Sequence, residues 1–164
     1  MSGIRNVLFL CAGDEARGLM AEAILNREGA GRFRAFSAGL SPVGTIHPAA
    51  EALLRKLNHS TGGLHPKGLA GFTCDGAPVM DFVFTVSEDA AENEHLPLPG
   101  VPLRADWSLP DPLSGNGSEA ERALAVADAY RMLCNRIGVF VNLPMTALDR
   151  LSLQQRLSEI GRRH

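Results

Sequence analysis

Three times along the chain a short, dense apolar run gives way to a helix-like pattern. Residues 4–10 read as a strand and 19–26 as a helix; 33–37 and 48–57 repeat the change, and 82–86 and 87–93 repeat it again. Strands alternating with helices predict βαβ units, hence an α/β fold with a parallel sheet and helices on both faces. Pro48 suits a first helical turn, and Ala49, Ala52, Leu53 and Leu57 fall on one face of that helix. Ser118-x-x-Glu121 reads as a capping box opening the longest helix, Glu119 to about Phe140. Its stripe of Leu124, Ala127, Tyr130, Cys134, Ile137 and Val141 is expected to face the sheet, with Cys134 an inert core thiol. Residues 59–76 and 96–117 are rich in Gly and Pro and read as loops. Loops at the carboxyl ends of parallel strands are where such sheets build sites.

The first strand-to-helix junction carries the most pointed chemistry. Cys11 and Arg17 stand six positions apart in LFLCAGDEARG, on one short turn. Backbone N–H groups of such a turn converge on anions, and the following helix adds the positive end of its dipole. A thiol held there has a lowered pKa, and its thiolate is the nucleophile. Arg17 would grip a tetrahedral oxyanion and stabilise transition-state charge. Taken alone, the pair fits a strand-end core cysteine and a solvated arginine equally well.

Composition narrows the partners. At 164 residues and 45% hydrophobic content the chain is expected to form one domain, 1–164. A net charge of −2, with both signs scattered, offers no stripe for nucleic acid and no polybasic membrane patch. The apolar run at 4–10 is too short for a signal core or a membrane span, so a cytoplasmic location is expected. The three cysteines, Cys11, Cys74 and Cys134, form neither a disulfide framework nor a zinc pattern; reduced thiols and no metal are expected.

The stretch VLFLC-x5-R-x-x-MAEAI is followed in order by FSAG (36–39), His47-Pro48, MDFVFTVSEDAAE (80–92) and DWSLPDP (106–112). This series resembles the low-molecular-weight protein tyrosine phosphatases and the arsenate reductases built on the same fold, the last two motifs being closer to the reductases. The resemblance implies a sheet of about four strands and an oxyanion loop of Ala12, Gly13, Asp14, Glu15, Ala16, Arg17 and Gly18. It implies Cys11 as nucleophile, Arg17 as clamp, and Asp111 as the proton donor to the leaving oxygen. Read without it, Asp111 between two prolines is a turn residue. Trp107 and Leu109 would shield the site from water, or Trp107 would sit at the core edge.

Several positions depart from that pattern. Asp14 and Glu15 replace an Asn and a small residue of many relatives, and Gly18 a Ser or Thr. Carboxylates near a dianion weaken its binding and raise the thiol pKa unless their side chains point outward. Asp14 still tolerates a left-handed backbone. The missing hydroxyl at Gly18 removes a hydrogen bond to the thiolate, so a less acidic Cys11 is expected. Ser87 and Glu94 fill places where thioredoxin-coupled relatives carry cysteines, which excludes an intramolecular relay there. Arsenate reduction would then need an external thiol such as glutathione, with a glutaredoxin-type partner; Cys74 is the remaining candidate resolving thiol. No bound cofactor is implied. The tyrosines that flank the site in many of the phosphatases are missing, and Tyr130 lies on a helix. Three readings follow: an arsenate reductase acting through a Cys11 adduct, a phosphatase acting through a cysteinyl phosphate, and a degenerate homologue that binds an oxyanion or a partner with little turnover.

Overall fold

A computed structural model describes residues 3–88, 98–114 and 117–162. The strands are β1 (Arg5–Cys11), β2 (Phe33–Gly39), β3 (Phe82–Thr85) and β4 (Leu103–Asp106). The helices are α1 (Arg17–Glu28), α2 (Pro48–Lys56), the single turn α3 (Ala70–Thr73), α4 (Glu119–Val141) and α5 (Arg150–Gly161). The four strands form one parallel sheet in the order β2-β1-β3-β4. This is the α/β fold that the alternation of patterns predicts. Most of the third helical segment, 89–93, and Glu94 lie outside the described residues.

Period-two alternation sorts the core into two layers. Val7, Phe9, Phe82 and Phe84 share one cluster with Met20, Ile24, Leu54, Leu133, Phe140 and Leu157, so α1, α2, α4 and α5 all pack on that face. Leu8, Leu10, Ala38 and Val83 face the other way, onto Phe72 of α3 and Met80. Phe84 stacks on Trp107 at 3.8 Å and 6° between planes, and Phe9 and Phe140 close around the indole. Trp107 is fully buried, donating from Nε1 to the Leu157 carbonyl at 3.0 Å. It is therefore a core residue and does not shield the cleft.

Four expectations need correction. The segment read as loop over 96–117 contains β4, whose LRAD is too short and too charged to show a period; only its bonding to β3 makes it a strand. Likewise the loop expected over 59–76 contains α3. The capping box of Ser118 and Glu121 forms in both directions, but the buried face of α4 is Val126, Ala129, Leu133, Ile137 and Phe140. Of the expected stripe, Ile137 and Val141 are buried, Ala127, Tyr130 and Cys134 are half-buried, and Leu124 is exposed. Both phases of this helix are apolar enough to pack, and Arg136 settles the choice. Its guanidinium is buried on the carbonyls of Trp107 and Ser108 behind β4, which rotates the Leu124 phase outward. On α2 the buried residues are Ala50 and Leu54, with Ala52 exposed, a shift of the expected face by one position.

Candidate active site

The turn between β1 and α1 is held open from behind by a run of backbone bonds. Leu40 N–H donates to the Cys11 carbonyl at 3.0 Å, Ser41 to Ala12 at 2.9 Å, Val43 to Gly13 at 3.1 Å and His47 to Glu15 at 2.9 Å. In a planar trans peptide the next residue's N–H points opposite to the carbonyl. Drawing these carbonyls toward 40–47 therefore turns the N–H groups of Ala12, Gly13, Asp14 and Ala16 to the other side, an arrangement suited to an anion. Gly39, which closes FSAG, makes this packing possible: a Cβ there would lie 3.0 Å from Ala12 O, Asp14 N and Gly13 C. Asp14 takes the left-handed conformation at φ 53°, and its N–H donates to Cys11 Sγ at 3.1 Å.

Cys11 through Arg17 line a cleft of about 60 Å³, closed on the far side by Asp111 and Leu113. Larger hollows occur elsewhere, including one of about 290 Å³ along Arg5, Arg32 and Pro144, but none of its lining residues combines a thiol with an arginine and a carboxylate. Arg17 is mostly buried; its Nη1 donates to Leu109 O at 3.0 Å and reaches Val86 O at 3.5 Å, and its Nη2 lies 4.0 Å from Asp111 Oδ1. Asp111 is half exposed, and the same Oδ1 accepts from Leu113 N–H at 2.9 Å, so the carboxylate both shapes its turn and faces the cleft. Cys11, Arg17 and Asp111 thus meet at one opening although the sequence separates them by up to a hundred residues.

The departures from the family pattern have a structural explanation. The Asp14 carboxylate does not hang in the cleft. Its side chain is fully buried, Oδ2 accepting from Lys67 N–H at 2.9 Å with Lys67 Nζ at 3.9 Å. That ammonium also reaches Glu22 Oε1 and Ser37 Oγ, each at 3.4 Å, and the His65 carbonyl at 2.8 Å. Asp14 Oδ1 lies 3.9 Å from Cys11 Sγ. A Cβ on Gly18 would come within 2.7 Å of that oxygen and 2.9 Å of the sulfur, so the glycine makes room for the Asp14 carboxyl. Glu15 does line the cleft, with its carboxyl folded over Gly13.

Burial above all, and then the Asp14 charge, push the Cys11 thiol up to about 12, against the N–H groups of Gly18 and Asp14 and the Arg17 charge, which pull it down. Asp14 is raised to about 6, again by burial first; Lys67 and Ser37 oppose the rise and Glu22 adds to it. Lys67, Glu22 and Ser37 escape a reading of the sequence, because nothing local ties Lys67 to a loop 53 positions away.

The other thiols stand apart. Cys74 is exposed after α3 and does not line the cleft; Cys134 is half-buried beside Tyr130, whose hydroxyl lies 2.6 Å from His59 Nε2. Ser87 is buried and lines a neighbouring hollow with Arg17, Glu88 and Asp111. Among the described residues no cluster of three His, Cys, Asp or Glu side chains could hold a metal, and no helix is long and apolar enough to cross a membrane.

The model of the low molecular weight phosphotyrosine protein phosphatases matches residues 6–139. Among solved structures the chain is similar to the Corynebacterium glutamicum thioredoxin-dependent arsenate reductase, with 24% identity and a TM-score of 0.59 over 85% of this chain. It spans 64% of that protein's length. It is also similar to an Erwinia amylovora tyrosine phosphatase, with 20% identity and a TM-score of 0.67 over 90% of this chain and 95% of that one. A T. tengcongensis low molecular weight protein tyrosine phosphatase gives 18% identity and a TM-score of 0.67 over 84% and 97%. At these identities the likeness is one of fold. No curated protein matches.

Proposed function

Since the chain belongs to the low molecular weight phosphotyrosine protein phosphatase family, a family of enzymes, we propose that it is an arsenate reductase whose Cys11 forms a covalent adduct with the oxyanion. The observation that carries this reading is the cleft itself: a loop of inward amides, Arg17 and Asp111 around about 60 Å³, room for a small tetrahedral anion and, among the described residues, no aromatic wall for an aryl ester. Tyr130, on α4, is paired with His59 and lines no part of it. In the first step the Cys11 sulfur bonds to arsenic, Arg17 neutralises the equatorial oxygens, and Asp111 protonates the departing hydroxyl, which leaves as water.

Reduction then needs two electrons. Ser87 in place of a relay cysteine, and Cys74 away from the cleft, support an external source: two thiol equivalents, glutathione and a glutaredoxin-type partner, leave as a disulfide while arsenic passes from V to III. Arsenite is released and Cys11 is regenerated. This chemistry suits a reducing compartment such as the cytoplasm. A second reading, favoured by the family description, is phosphoester hydrolysis. It uses the same three residues, with Asp111 turned base for the water that cleaves the cysteinyl phosphate.

The test is arsenate-dependent NADPH oxidation with glutathione, glutathione reductase and glutaredoxin, run beside a thioredoxin-coupled arm and aryl phosphate hydrolysis. Turnover is expected in the glutaredoxin arm. Aryl phosphate hydrolysis without arsenate turnover in either arm would replace the reductase reading by the phosphatase one.

A further inference from the structure

Burial and then the Asp14 charge push the Cys11 thiol up, and a thiol must shed its proton to act as a nucleophile. A proton acceptor in contact with the sulfur can take that proton as the sulfur attacks, so that no standing thiolate is needed. Among the described residues, three carboxylates stand around the loop. Asp111 is across the cleft on Arg17, at 4.0 Å, and serves the leaving oxygen. Glu15 is folded over Gly13. Asp14 alone of the three is in contact with Sγ, through Oδ1 at 3.9 Å, while its own N–H donates to the same sulfur at 3.1 Å.

Asp14 occupies a built seat. Its backbone sits at φ 53°, a conformation Asp tolerates, and its carboxyl fills the space that the absent side chain of Gly18 leaves beside the sulfur. The groups facing it are Cys11 from β1, Glu22 from α1, Ser37 from β2, and Lys67 from the segment before α3. Oδ2 is fixed by Lys67 N–H, which leaves Oδ1 as the oxygen directed at the thiol.

We propose that Asp14 is a catalytic residue, the proton acceptor for the Cys11 thiol, working from the buried side of the loop while the sulfur lone pair attacks into the cleft. The proposal rests on the reading of Cys11 as nucleophile and concerns the step common to arsenate and phosphoester. The S–H bond breaks and an O–H bond forms on Asp14 Oδ1; the sulfur electron pair bonds to arsenic or phosphorus; the bond to the leaving oxygen breaks, and that oxygen takes its proton from Asp111. Asp14 as neutral acid then donates a hydrogen bond to the sulfur, the part a hydroxyl at position 18 would otherwise play. When the adduct is resolved the departing thiolate takes the proton back. Lys67 is the positioning residue, because its N–H orients the carboxyl and its ammonium favours the ionised form that can accept.

The test is the pH dependence of Cys11 alkylation by iodoacetamide, read on the Cys11 peptide in the full chain. Wild type should gain reactivity as pH rises through about 6, where Asp14 ionises. Asp14→Asn keeps the backbone conformation and an acceptor for Lys67 N–H but has no base. It should lose that limb and react roughly tenfold or more slowly at neutral pH. Lys67→Met should move the limb to higher pH, a displacement that a purely structural role would not produce. Equal or faster alkylation of Asp14→Asn, or a limb that stays in place in Lys67→Met, would overturn the proposal, since a carboxylate that merely repels the thiolate predicts the faster reaction. Iodoacetamide is not an oxyanion. Failure of arsenate and aryl phosphate turnover therefore strikes the proposed function and leaves the alkylation limb as independent support for Asp14.

Discussion

On the cleft side of the Cys11 loop, Arg17 meets Asp111 at 4.0 Å with the carboxylate side chain 47% exposed; on the buried side, Lys67 meets Asp14 at 3.9 Å with that carboxylate wholly enclosed. The separations differ by only 0.1 Å and the consequences are opposite. Water screens the first pair, so its attraction is about 0–1 kcal/mol and an incoming dianion takes over Arg17 with little loss. In the second pair the carboxylate has no water to fall back on, and removing Lys67 leaves a buried charge behind. The loop thus has an exchangeable front, where substrate replaces a side chain, and a fixed back, where the carboxylate answers only to protons.

The largest effects fall on the front. Arg17→Lys puts a point charge where a planar fork spans two carbonyls and the oxyanion, and turnover should fall by about 10²–10³; near wild-type rates would detach Arg17 from the chemistry. Asp111→Asn should slow reactions with poor leaving groups by about 10²–10³, at the low end of what acid–base catalysis supplies, while phosphate still binds. A flat rate comparison across leaving groups would reduce Asp111 to the turn it also forms with Leu113.

At the back the prediction concerns stability against pH. Asp14 has a folded pKa of about 6, above the ordinary 3.8. Folding therefore favours its protonated form, so the contribution is fully present below about pH 4 and is lost as pH rises through 6. A rise of about two pKa units corresponds to about 3 kcal/mol. Urea denaturation of wild type should show this decline between about pH 4 and 7, and Asp14→Asn should show a flatter profile. Identical profiles would mean that Asp14 does not ionise in its buried seat. The smallest effect is Gly18→Ser, which pushes a side chain into the space of Asp14 Oδ1 and Sγ; a loss of about 1–3 kcal/mol is expected, with no gain in Cys11 acidity. A more acidic thiol in that variant would restore the view of Gly18 as a lost hydroxyl.

What the sequence discloses follows the same division. Cys11 and Arg17 lie on one contiguous turn, so strand, turn and helix patterns place them without tertiary information. Asp111 needs the resemblance to a known family, since between two prolines it reads as a turn residue, and it is also one. Lys67 has no local signature, because the charge it answers is brought to it by the pairing of β1 with β2 and the crossing of the segment before α3. At Gly18 the sequence shows the missing hydroxyl, and the structure adds what one dimension hides, the Asp14 carboxyl in the space beside the sulfur. β4 is obscured for a related reason: four residues bearing two charges become a strand only through β3. On α4 the apolar phase is decided by Arg136 behind Trp107, a contact between distant elements.

The central claim is that the loop's amides and Arg17 bind the oxyanion while the sulfur of Cys11 does the chemistry. Arsenate and aryl phosphate turnover by Cys11→Ser, with its folding certified by calorimetric binding of inorganic phosphate, tests this most directly. Binding within a few-fold of wild type with turnover at background is the predicted result; appreciable turnover without the thiol would contradict it.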